Sequence, residues 1–67
     1  MHIVNNGTDT EIAQDTSLFG YLQNEGLAEK PGIAVAVNES VIPRTDWTVY
    51  ILKPNDSILI IKATQGG

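Results

Sequence analysis

The amino-acid sequence predicts an α+β domain: a mixed sheet of four to five strands with one main helix packed on one face. Three observations predict it. Asn6-Gly7 separates two short segments of strand character, one stretch of helical spacing ends before Gly26, and the last strand is the most apolar part of the chain. With 67 residues the chain forms a single domain, 1–67, since separate cores arise only at several times this length. A domain this small buries roughly 60% of its unfolded surface, so its stability margin is thin.

The first segment, His2-Ile3-Val4-Asn5, is short and apolar at its centre. Asn6 and Gly7 both tolerate positive φ, the strongest short-range hairpin signal. Thr8 to Ala13 is then the returning strand, with Thr10 and Ile12 on one face. Asp15, Thr16 and Ser17 are three N-cap candidates ahead of Leu18, Tyr21 and Leu22, which recur at helical spacing. The helix spans roughly residues 17–25. Gly20 weakens it by about 1 kcal/mol relative to Ala. Gly26 suits the left-handed position after the helix and brings Leu27 against Leu22.

Ile33-Ala34-Val35-Ala36-Val37 alternates large and small apolar residues, as a buried strand does. Asn38-Glu39-Ser40 turns the chain into a short strand, Val41-Ile42, which Pro43 marks as edge-like. Thr45-Asp46-Trp47 caps a single helical turn, with Trp47 and Ile51 or Leu52 pointing inward. Pro54-Asn55-Asp56 is a turn in which proline fixes φ. The final strand runs from Ser57 to Ala63, and residues 64–67 follow as a flexible tail. A hairpin and a helix crossing a mixed sheet, with the first and last strands parallel at its centre, is the β-grasp arrangement.

Composition narrows the function. Four Lys or Arg against eight Asp or Glu, a net charge of −4, argue against nucleic-acid binding, which runs on phosphate neutralisation. No apolar run approaches the ~20 residues that cross a bilayer, and no signal peptide is evident, so a cytoplasmic protein without membrane contact is expected. The absence of cysteine excludes disulfides, thiolate metal sites and a cysteine nucleophile. So little interior leaves no room for a deep substrate pocket of roughly 300 Å³ or more. A self-contained enzyme is not expected. His2 has no evident partner, Glu39, Asp46 and Asp56 fall in turns where capping explains them, and no metal cage is evident.

Two features remain. In the last strand Ile58 and Ile60 face one way while Leu59 and Ile61 face the other, so both faces are apolar. If Ile58 and Ile60 pack on the helix, Leu59, Ile61 and Ala63 lie open beside Ala34 and Ala36, a patch suited to partner docking. The alternative is a face covered by the Trp47 loop or by a dimer contact. Arg44 and Lys62 are either solvated or in ionic contact with a partner. The second feature is Thr64-Gln65-Gly66-Gly67. Glycines without side chains thread a narrow channel and present the terminal carboxylate to another protein's active site.

Residues 36–44, Trp47, residues 56–60 and the ending Ala63-Thr64-Gln65-Gly66-Gly67 resemble the ThiS sulfur carrier family of thiamine biosynthesis, over essentially the whole chain. The resemblance implies that a ThiF-like adenylating enzyme uses ATP to activate Gly67. A sulfur donor protein then supplies the atom that makes a thiocarboxylate, and a ThiG-like thiazole synthase takes that sulfur. It implies threading of Thr64, Gln65 and Gly66, and a sheet face set against the activating enzyme. No bound cofactor is expected, and a monomer is. A carrier for molybdopterin or another sulfur pathway, and a non-covalent binding module or protein modifier, stay open. Val41-Ile42-Pro43-Arg44 followed by Trp47 favours the thiamine carrier over its molybdopterin relative.

Overall fold

A computed structural model describes residues 1–62. Strand β1 (His2–Asn5) turns through Asn6 and Gly7, at φ of 50° and 85°, into the antiparallel strand β2 (Thr8–Glu11). The returning strand stops short of Ala13, because Asp15 enters φ +62° and Thr16 Oγ1 donates to the Ala13 carbonyl at 2.6 Å. Helix α1 (Leu18–Asn24) has Ser17 as its N-cap, whose Oγ accepts from Gly20 N–H at 2.9 Å. It ends as expected for a glycine at C′. Gly26 takes φ +76°, its N–H donates to Gln23 O at 3.0 Å, and Leu27 N–H donates to Leu22 O at 2.8 Å.

Strand β3 (Ile33–Val37) pairs with the two-residue strand β4 (Ser40–Val41). The positive φ of both Asn38 and Glu39 makes a two-residue turn, so β4 begins at Ser40 and includes Val41 but not Ile42. A 3₁₀ turn over Arg44–Asp46 follows Pro43, and strand β5 (Ser57–Lys62) is the last element of the described residues. Pro54 sits between Lys53 and Asn55 (φ +70°) in a turn closed by Asp56 N–H to Lys53 O at 3.1 Å.

The sheet order is β2-β1-β5-β3-β4, with β5 parallel to β1 and antiparallel to β3. The last strand is therefore central, as its hydrophobicity requires. Ile3, Leu18, Leu22, Val35, Trp47, Leu52 and Ile58 are each 2% exposed or less and form the core between sheet and helix. Of the two inward candidates after the 3₁₀ turn, Leu52 is buried and Ile51 is exposed.

Two side chains tie β5 to its neighbours where the strand ladders stop. Asn6 Oδ1 accepts from Ile60 N–H at 2.9 Å, and Asn38 Oδ1 accepts from Ser57 N–H at 2.9 Å. Asn38 Nδ2 donates to the buried Asp56 at 3.0 Å, and Asp56 also accepts from Lys53 N–H at 2.8 Å. Capping thus accounts for Asp56. His2, which shows no partner in the linear sequence, has one here: strand pairing sets Glu11 opposite it, 3.1 Å from Nε2.

Candidate functional site on the open face of the sheet

Alternation along β5 puts Ile58 and Ile60 under the helix, 1% and 9% exposed, and leaves Leu59 and Ile61 half exposed on the other face, at 50% and 49%. Register extends that face sideways. Ala36 lies opposite Leu59, Ala34 opposite Ile61, and Val41 opposite Ala36. Val41 is 69% exposed and belongs to the same apolar surface. The linear sequence hides this because Val41 lines up with Leu59 only through the two-residue turn before β4.

Ala36 does not lie open. It is 7% exposed and forms the floor of the patch, because Leu59 and Val41 stand on either side of so small a side chain. Ala34 is exposed. A shallow depression of about 470 Å³ adjoins the patch, lined by residues that include Asn6, Gly7, Ala36, Glu39 and Leu59. On the opposite flank the face turns acidic, through Asp9 beside Val4 and Glu11 beside His2. A hydrogen bond from the N-terminal ammonium, and then the neighbouring His2, hold the Glu11 carboxyl below its ordinary range.

Arg44 has an internal role in the domain. Its guanidinium donates to the carbonyls of Ala28 and Lys30, each at 2.8 Å, and stacks 4.5 Å from the Trp47 ring. These bonds fasten the loop after α1 to the 3₁₀ turn while Arg44 stays exposed at the surface. Lys62 is exposed at the end of β5, with no ion pair among the described residues. Ala63, Thr64, Gln65, Gly66 and Gly67, which carry the tail chemistry expected from the sequence, lie outside the described residues.

A groove of about 290 Å³ between β2 and α1 is lined by residues that include Thr10, Glu11, Tyr21, Asn24 and Glu25. The Tyr21 hydroxyl accepts from Asn5 Nδ2, and burial followed by the Glu25 charge pushes its phenol up from the ordinary value. Among the described residues there is no cluster of three or more potential metal ligands, and no helix is long and apolar enough to cross a membrane.

Comparison with known proteins accords with this geometry. The chain is similar to the sulfur carrier protein ThiS of Escherichia coli (strain K12), 36% identical over 36 residues. That alignment covers 54% of each chain, so the chain spans about half the length of the curated relative it matches. Among solved structures, the fold is that of the crystal structure of a thiamine biosynthesis protein (ThiS) from Geobacter metallireducens. The TM-score is 0.86 at 20% identity, with both chains covered in full. A solution structure of a thiamine biosynthesis protein from the same organism gives 0.80 at 20% identity, covering 100% of this chain and 88% of that one. The five-stranded mixed sheet and the one α-helix among the described residues therefore match the ThiS β-grasp structures. The ThiS family model matches residues 2–67, and the chain belongs to that family.

Proposed function

We propose that the chain is a sulfur carrier of thiamine biosynthesis whose working group is the carboxylate of Gly67. A carboxylate becomes an acyl donor only when its oxygen is made a leaving group. One carboxylate oxygen attacks the α-phosphorus of ATP in a ThiF-like enzyme and displaces pyrophosphate. A sulfide equivalent from the sulfur donor then attacks the acyl-adenylate carbonyl and AMP departs. The product is a thiocarboxylate, one oxygen exchanged for sulfur, which a ThiG-like thiazole synthase consumes. The carrier takes part as a monomeric co-substrate, with the catalytic groups supplied by its partners. Leu59, Ile61, Ala34 and Val41 dock the enzyme, Lys62 flanks the contact, and residues 63–66 carry the carboxylate into the active site.

The observation that carries this reading is family membership across residues 2–67 in a chain whose last described strand keeps Leu59 and Ile61 half exposed and whose sequence ends in Gly66-Gly67. The test is intact mass spectrometry after incubation with ATP, a ThiF-like enzyme and a sulfur source. The expected result is a gain equal to replacing one oxygen by sulfur, localised to Gly67 and absent when Gly66 and Gly67 are deleted. An unchanged mass, with the enzyme active on another carrier, refutes the reading.

A further inference from the structure

The parallel ladder between β1 and β5 is shorter than β5 itself. Val4 N–H donates to Asp56 O and Asn6 N–H to Ile58 O, each at 2.9 Å, and the register ends at Asn5 opposite Ile58. The chain then leaves through the Asn6-Gly7 turn. Ile60 N–H, which would meet the next carbonyl of β1, is met by the Asn6 side chain. By the alternation of strand hydrogen bonds, the backbone groups of Ser57, Leu59 and Ile61 point to β3, while those of Ile58, Ile60 and Lys62 point to β1. Ile60 C=O and Lys62 N–H therefore face the space beyond the hairpin turn, with no partner among the described residues.

The other edges of the sheet are guarded. β2 reads Thr-Asp-Thr-Glu, with two carboxylates along four residues, and β4 is two residues long. Short strands and edge charges discourage pairing. The open stretch of β5 is also short, and differs from those edges in adjoining apolar surface. Ile61 beside it is apolar and half exposed, and Lys62 bears the one charge.

We propose that this open edge of β5, presenting Ile60 C=O and Lys62 N–H, is a strand-addition site for an extended segment of the enzyme that activates the C-terminal carboxylate. The inference rests on the functional reading above. Reach decides between occupants. Five residues follow Lys62, and an extended chain spans at most roughly 3.6 Å per residue, about 18 Å in all. An enzyme that handles Gly67 must then place its active site within that distance of Lys62, against this edge and the Leu59–Ile61 patch. Main-chain pairing there would fix the direction in which the tail enters, with affinity from backbone bonds and specificity from the side chains beside them.

Proline at position 62 removes the N–H in question and no bond to β3, and an edge position tolerates its ring. Lys62→Pro and Lys62→Ala are therefore compared with the unaltered chain in ATP-dependent activation by a ThiF-like enzyme, read by intact mass and by KM. A third protein, made by total synthesis with an ester in place of the Ile61–Lys62 amide, removes the same N–H without restricting φ. The expected result is that all melt within a few degrees of one another. Lys62→Ala reads the side chain's own share of the contact; Lys62→Pro raises KM about tenfold beyond Lys62→Ala, and the ester about tenfold beyond the unaltered chain, one hydrogen bond's worth. An ester KM equal to that of the unaltered chain overturns the inference and leaves the carrier reading intact. Loss of fold in the ester also overturns it, since the N–H would then serve the domain itself. If the unaltered chain gains no sulfur, both readings fall together.

Discussion

Replacing Ile61 by Thr keeps a β-branched side chain in β5 while stripping apolar surface from the open face, so it separates docking from folding. Fully burying an isoleucine contributes about 1.5–3 kcal/mol, and Ile61 is 49% exposed, so only about half of that, roughly 1 kcal/mol, is at stake within the domain. At about 4–8 °C per kcal/mol for a domain of this size, the melting temperature falls by several degrees. The same change at Ile60, 9% exposed, forfeits nearly the whole burial and also places a hydroxyl in the core, about 3–5 kcal/mol together. That approaches the total stability of such a domain, about 3–10 kcal/mol, so Ile60→Thr is expected to be largely unfolded when warmed.

The exposed half of Ile61 is what a partner would cover. Its loss costs the complex about 1 kcal/mol, or roughly fivefold in KM for the activating enzyme, and Leu59→Thr with Ile61→Thr together about 25-fold. Melting is followed by fluorescence of Trp47, the single tryptophan and 1% exposed, and docking by steady-state kinetics of adenylation. If Ile61→Thr melts as low as Ile60→Thr, the face assignment is reversed. If the double variant folds and keeps its KM, the patch does not dock the enzyme.

Three further outcomes are expected. A Cβ on Gly20 would lie 3.2 Å from Ser17 Oγ, so Gly20→Ala alone changes stability by less than about 0.5 kcal/mol. In a Ser17→Ala background, itself about 1 kcal/mol less stable, it recovers about 1 kcal/mol by thermal melts, and equal effects in both backgrounds contradict the crowding. Tyr21 ionises above the ordinary tyrosine value of 10.0 because burial, then Glu25, disfavours its phenolate. The folded state thus holds that proton more tightly, and the stability it contributes is present below pH 10 and lost as pH rises through the folded value. An ultraviolet titration in which the phenolate step lost with Tyr21→Phe lies at or below 10.0 would contradict it. Arg44→Ala gives up two carbonyl bonds and the Trp47 stacking, costing about 1–2 kcal/mol in chemical denaturation without altering the KM of the folded fraction.

Features carried by neighbours in sequence were legible in the chain: the Asn6-Gly7 turn, the Ser17 cap, the Gly26 ending and the outward turn of Leu59 and Ile61. Features that depend on register were not. Glu11 meets His2 only after the hairpin pairs, and Ala36 is covered only because Val41 and Leu59 stand beside it. Arg44 is a surface cation in the linear sequence, and its carbonyl partners lie 14 and 16 residues away. Asn6 and Asn38 announce turns through their tolerance of positive φ. That their side chains also reach β5, Asn6 across 54 residues, has no local signal.

Those two asparagines bear on what a carrier of this kind requires. On the function proposed above, a carboxylate handed to a partner enzyme needs a firm base from which to extend. β5 is that base, held by β1 on one side, by β3 on the other, by Asn38 at its first residue and by Asn6 at its fourth. Side-chain amides hold β5 without lengthening β1, which would cover Ile60 C=O and Lys62 N–H, the edge proposed above for a partner strand. The domain thus anchors β5 firmly while leaving its far end open on one edge. Both apolar faces of the strand then have a use: Ile58 and Ile60 hold it to the helix, and Leu59 and Ile61 remain for whatever binds beside the tail.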